Sequence, residues 1–252
     1  MEMVNFQKDQ NEQGGLRLVA DTKGIAALPA IEKQFVNFSF LKVDPEWRKL
    51  DPQTKAAFKS EFVEAFDAFR TDLLLFAYSL VGFDAKADLM FWRIGNSLDL
   101  VQEMTAKLYQ TRLGSFVENV DNYLSVTKGM MFVGEGGEDR FHVAPGQKKY
   151  IFLYPCAKHK DWYEKTPEER DALIEENLMV GKRFQNIRIH LTHAFGFSEQ
   201  EYMISFETDE PKDFLALAEE LRQTPAGKFT IRGMPVYTCR QRGLMECLDA
   251  LG

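Results

Sequence analysis

The stretch from Phe40 to Phe58, FLKVDPEWRKLDPQTKAAF, is echoed from Phe152 to Ile174 by FLYPCAKHKDWYEKTPEERDALI. Each is an apolar run, then a tryptophan, then a charged helical opening. Further on, SLVGFDAKADLMFW at 79–92 is echoed by HAFGFSEQEYMISF at 193–206. Trp47 and Trp162 lie 115 residues apart, and Gly82 and Gly196 lie 114 apart, so order and spacing hold to within one residue. A repeat of this length means two copies of one supersecondary unit, each with an apolar face that the other can cover. Function is therefore expected where the copies differ, or between them.

Within the first copy, QFVNFSFLKV alternates apolar and polar residues with Val36, Phe38 and Phe40 on one side, the pattern of a half-buried strand. Asp51 and Pro52 open a helix as cap and first-turn residue. Its apolar stripe is Phe58, Phe62, Phe66 and Phe69. Strands are predicted over 73–80 and 89–94, a helix over 97–113 with Leu100, Met104 and Leu108 on one side, and a strand over 122–133. This is the split pattern of a ferredoxin-like fold. The second copy repeats it, with strands over 150–155, 187–195, 202–208 and 229–238 and helices over 167–183 and 212–222. The chain thus divides into an N-terminal arm (1–33), repeat 1 (34–133), a Gly-rich charged linker (134–148) and repeat 2 (149–252). The fold class is α+β. Two four-stranded sheets with helices on one side would pack their bare faces together as a dimeric α+β barrel within one chain, leaving room for a planar ligand between one sheet and its helices.

With 252 residues, 45% hydrophobic and 27% charged, the chain has the composition of a soluble globular protein with a full core. A net charge of −7 argues against nucleic acid as the main partner, since phosphate binding needs a positive surface. No apolar run approaches the roughly 18 to 20 residues of a membrane span, and the N-terminus has no secretory pattern. Cys156, Cys239 and Cys247 are an odd number without metal-ligand spacing, which favours free thiols and a cytoplasmic location. Dinucleotide, P-loop, Ser/His/Asp and zinc spacings are absent.

The motif YPxxK (Tyr154, Pro155, Lys158), DWY at 161–163, TPEER at 166–170 and FGFSEQEYMISFET at 195–208, together with ADLMFW and TRLG in the first copy, resemble the chlorite dismutase and coproheme decarboxylase superfamily over roughly residues 34–240. The resemblance implies haem b or iron coproporphyrin bound by the second repeat, hydrogen peroxide as a possible co-substrate, and a homo-oligomer, often a pentamer. It also implies, in the decarboxylase branch, a redox-active tyrosine at Tyr154 with Lys158 beside a propionate. A phenol can pass a hydrogen atom, while an ammonium holds a carboxylate. His142, in an HVAP context, resembles the distal base that actinobacterial decarboxylases carry in an HVP context, although theirs stands farther ahead of the YP motif. The alternative for Tyr154 is a ring in the core that merely ends a strand.

Two departures accompany the resemblance. Asn177 in EENLMVGKRF stands where relatives carry the proximal histidine of the iron, and an amide oxygen is a poor ligand for it. At the distal position stands Ile189, or His190 if the short loop at Gln185 and Asn186 slips by one. Trp162 either borders the porphyrin or, like its repeat counterpart Trp47, is expected to pack between strand end and helix start. Arg112 and Lys128 stand near porphyrin-facing elements. Three functions follow: peroxide-dependent coproheme decarboxylation, a ligand-degenerate porphyrin-binding or interaction protein, and, least supported, chlorite dismutation.

Overall fold

The computed structural model describes residues 34–127, 145–197, 199–232 and 236–252. Alternation decides β1 (Phe35–Val43). Val36, Phe38 and Phe40 enter one apolar cluster, while Leu41 and Val43, on the opposite face by simple alternation, join another. The pairing with β4 shifts register between Phe40 and Leu41. There follow α1 (Pro52–Asp67), β2 (Leu74–Ser79), β3 (Leu89–Gly95), α2 (Leu98–Tyr109) and β4 (Val117–Val126). Asp51 caps α1 as expected, its carboxylate accepting from the Gln53 and Thr54 amides at 3.0 Å. The second copy comprises β5 (Tyr150–Lys158), α3 (Pro167–Lys182), β6 (Arg188–His193), β7 (Tyr202–Thr208), α4 (Pro211–Gln223), α5 (Pro225–Lys228), β8 (Thr230–Arg232), β9 (Tyr237–Arg242) and α6 (Leu244–Asp249). The fold is two ferredoxin-like repeats in one α+β barrel.

The sheet runs β7-β6-β4-β1-β3-β2-β9-β5-β8, and β5 also pairs with β7, which closes a ring of eight antiparallel strands. The seams between copies are short. Val126 opposite His193 joins β4 to β6, and three residue pairs join β2 to β9. Closure removes the sheet edges and seals a core drawn from both copies, with Phe40 stacked on Tyr237 at 3.7 Å. Buried in this core are also Glu207, His190 and Tyr78. Glu207 accepts from the Tyr78 hydroxyl (3.3 Å) and the Gly146 amide (2.7 Å), and lies 3.2 Å from His190 Nε2. Burial first, then the neighbouring carboxylate, pushes the Tyr78 phenol's pKa well up.

The structure revises four boundaries. The strand predicted over 229–238 is two, β8 and β9, which pair with successive stretches of β5, β9 with Tyr150–Leu153 and β8 with Cys156–Lys158. Strand β4 starts at Val117, ahead of the predicted Asn122. Helix α6 went unpredicted. Its Leu244, Cys247 and Leu248, with Leu251 beyond it, complete the first copy's helix-side core, and Lys59 reaches its Asp249 at 3.1 Å. Helix α2 ends at Tyr109, short of Leu113, because the Thr111 hydroxyl takes over the Leu108 carbonyl (2.7 Å) and receives the Gly114 amide (3.0 Å). A Cβ on Gly114 would lie 2.0 Å from the Leu108 carbonyl oxygen. Gly114→Ala is therefore expected to destabilise by about 1–3 kcal/mol, read as a lower urea midpoint at unchanged slope.

Cys156, Cys239 and Cys247 are buried, and no disulfide joins them. Among the described residues no helix is long and apolar enough to cross a membrane.

Candidate functional site

The two copies differ most between helix and sheet. In the first, α1 lays Phe62 and Phe66 against Phe91 of β3, at ring separations of 6.2 and 5.0 Å. Only about 10 Å³ stays open there, beside Phe62 and Phe91. In the second, α3 has the same length, 16 residues, yet only Val180 and Gly181 are buried. The 115-residue shift carries Phe62 onto Asn177 and Phe66 onto Gly181. Two rings are missing, and a cavity of about 170 Å³ stands in their place. Its walls are Ile174, Asn177 and Leu178 of α3 against Ile189, Ile204 and Phe206 of the sheet. A lobe of about 90 Å³ continues it toward Tyr154, Phe214 and Arg222.

Strand alternation presents the YPxxK residues to this space. Ile151 and Leu153 face the barrel core, whereas Tyr154, Cys156 and Lys158 face the helices. The Tyr154 ring packs edge-on against Phe206 (5.7 Å) and Phe214 (5.8 Å) and bounds the smaller lobe. Lys158 Nζ donates to the Thr230 hydroxyl at 2.8 Å and sits 4.5 Å over the ring of Trp162, itself buried at the cavity wall. Its backbone amide donates to Glu201 (2.8 Å), which also accepts from the Tyr163 hydroxyl. Partial burial and then that bond push the Tyr163 phenol's pKa up. The Trp162 turn is thereby tied to the β6–β7 connection.

Asn177 lines both lobes, and its Oδ1 is buried without a hydrogen-bond partner among the described residues. Leaving such an acceptor unmet costs about 1–3 kcal/mol. Ile189 faces the cavity, so the one-residue slip that would bring His190 there does not occur. His190 points the other way, into the barrel core, 5.5 Å from the ring of Trp92. His142 and Lys128 lie outside the described residues. His159 is exposed beside Asp161, and His193 packs on Phe195 and Tyr202. Arg112 is on the first copy, paired with Glu61 at 2.7 Å over the Phe58 ring.

Sequence reasoning missed Cys156, Arg222 and Thr230. Cys156 was within reach of it, because a strand that aims Tyr154 and Lys158 at a site aims the residue between them there too.

Apolar walls bordered by Lys158 and Arg222 suit a flat macrocycle bearing carboxylates. The centre of an iron porphyrin is served less well. Among the described residues no histidine lines the cavity and no group of three or more metal-ligating side chains occurs; the α3 wall offers an amide. The lining is apolar with cations at its border, and among the described residues it offers an iron no imidazole.

The chain is similar to chlorite dismutase of Ideonella dechloratans, 23% identical over 222 residues that cover 84% of this chain and 76% of the relative. It is similar to coproheme decarboxylase of Mycolicibacterium smegmatis, 25% identical over 162 residues, or 64% and 70% of the two chains. A novel heme-binding protein of Thermus thermophilus superimposes with a TM-score of 0.75 at 18% identity, covering 88% of this chain and 95% of that one. The chlorite dismutase family model matches residues 55–242, from within α1 to the end of β9, and so takes in most of both repeats. By that match this chain belongs to the chlorite dismutase family.

Proposed function

We propose that this chain binds a carboxylated tetrapyrrole, haem b or iron coproporphyrin, between α3 and the second-repeat sheet, with Lys158 and Arg222 toward its carboxylates. The contrast between copies carries this reading: phenylalanines fill the space in the first, and its counterpart in the second stands open behind apolar walls. A bound macrocycle would cover the inward face of α3 that the chain itself leaves bare, gaining about 25 cal/mol per Å² of apolar surface removed from water. The similarity to coproheme decarboxylase and to a heme-binding protein supports the ligand class. In this reading the protein works in the cytoplasm as a homo-oligomer, a pentamer by family resemblance.

Tyr154 and Lys158 on one face of β5 favour a second reading, peroxide-dependent coproheme decarboxylation. There Tyr154 is the redox-active group, Lys158 the propionate partner and His142 a base toward peroxide. Asn177 counts against turnover, and Asn177 with Ile189 counts against chlorite dismutation.

Titration of the full chain with haem and with iron coproporphyrin, following absorption before and after peroxide, tests both. Binding predicts a saturable Soret change with either ligand, and spectra identical to free porphyrin overturn it. Tyr154→Phe is expected to keep affinity within about twofold, a few tenths of a kcal/mol, while abolishing any stepwise loss of propionates. If the native chain yields no decarboxylated product, the second reading falls and the binding function stands.

A further inference from the structure

The ligand of this cavity has a periphery and a centre, and the chain reads them unequally. At the periphery it offers cations, Lys158 held by Thr230 and Arg222 beside the smaller lobe, with apolar surface from both walls. At the α3 wall it offers Asn177, a neutral amide whose buried oxygen has no hydrogen-bond partner among the described residues. That oxygen can accept from a water seated against the ring, a contact open to the metal-free and the metal-bound macrocycle alike. It is a weak donor to iron. Buried acceptors are seldom left unmet, so its place in the wall points to a hydrogen-bond donor arriving with the ligand.

We infer that the cavity selects a tetrapyrrole by ring shape and carboxylates without reading its metal, so that the metal-free macrocycle is as good a ligand as the iron one. This rests on the tetrapyrrole reading above and sharpens it from an iron cofactor to a ligand class. Axial iron–imidazole bonding is what ordinarily sets iron porphyrins apart from their metal-free forms. Here the position equivalent to a first-copy phenylalanine carries an amide, and the histidines described near the site point elsewhere. Discrimination by metal therefore has no side chain on α3 to act through. Cys156, on the sheet wall, is the one soft donor the described lining presents to a metal, and the test below includes it.

The full chain is titrated with metal-free, zinc and iron coproporphyrin, with quenching of tryptophan fluorescence as a signal common to all three. Dissociation constants within about threefold of each other are expected, under 1 kcal/mol of discrimination. Asn177→Ala should shift all three together. Asn177→His should tighten the iron form alone by tenfold or more, with a Soret band shifted to that of an imidazole complex. Iron coproporphyrin bound at least tenfold tighter than the metal-free form by the native chain overturns the inference, and loss of that gain in Cys156→Ser would name the ligand responsible. Because the native comparison decides the matter, a variant that fails to fold does not remove the test. If none of the three binds, the tetrapyrrole reading itself has failed, an outcome distinct from a metal preference.

Discussion

Replacing His190 by alanine is expected to lower the free energy of unfolding by about 3–5 kcal/mol, the usual cost of leaving one member of a buried charged or polar pair without its partner. Glu207 is fully buried, and His190 Nε2 is, among the described residues, one of three groups that approach its carboxylate, with Tyr78 and the Gly146 amide. Water cannot reach the carboxylate to make good the loss. The pair also fixes register. Ile189 stands opposite Phe206 and His190 opposite Ser205, so Ile189 and Phe206 look into the cavity while His190 and Glu207 look into the barrel. A one-residue slip of β6 on β7 would turn β6 over, putting the His190 imidazole into the apolar cavity and Ile189 into the barrel beside the Glu207 carboxylate. Urea unfolding of His190→Ala, Glu207→Gln and the double variant measures the coupling directly. A coupling of about 1 kcal/mol or more is expected. Additivity within about 0.3 kcal/mol would mean that the two side chains are merely neighbours and that register is held elsewhere.

What the sequence discloses and what it withholds divide along the range of the interactions. Val36, Phe38 and Phe40 alternate, and the phenylalanines of α1 recur at helical spacing, so these elements and their inward faces follow from nearest neighbours in the chain. Barrel closure follows one step later, because two bare sheet faces have few other ways to be covered. The end of α2 depended on a hydroxyl competing for one carbonyl, a contest that apolar spacing does not register. Helix α6 carries Leu244, Cys247, Leu248 and Leu251 at helical intervals, yet its partner is the first copy's core nearly 200 residues earlier in the chain, and only the closed fold brings them together. The start of β4 was hidden for another reason: of Val117 to Asp121 only two residues are apolar, and the segment is half exposed. At the site, Tyr154, Lys158 and Asn177 were accessible through motif resemblance, and alternation puts the first two on one face. The His190–Glu207 pair was not accessible, since it requires the register of two strands. One signal in the sequence went unused: sliding the copies by 115 sets Phe62 and Phe66 against Asn177 and Gly181, which marks the opening without any coordinates.

That alignment supplies the most severe test of where ligand binds. Asn177→Phe returns to α3 the residue that α1 carries at Phe62, and the ring would enter the space between Ile174 and the sheet residues Ile189, Ile204 and Phe206. Two consequences are expected together. The folded state should gain stability, because burying a phenylalanine contributes about 1.5–3 kcal/mol relative to leaving it exposed. Removal of an unmatched buried amide oxygen relieves a further cost. The gain has room to appear, since the ring enters open space and not a packed core, where overfilling would destabilise. At the same time tetrapyrrole affinity should fall by at least about a hundredfold, roughly 2.7 kcal/mol, because the macrocycle and the new ring claim the same volume between α3 and the sheet. The two measurements separate a blocked site from a damaged protein: a raised melting temperature with lost binding is the signature of a refilled cavity. A variant more stable than the native chain that still binds haem or coproporphyrin with native affinity would move the ligand away from α3. It would also make the opening between the missing rings a packing defect of the second copy.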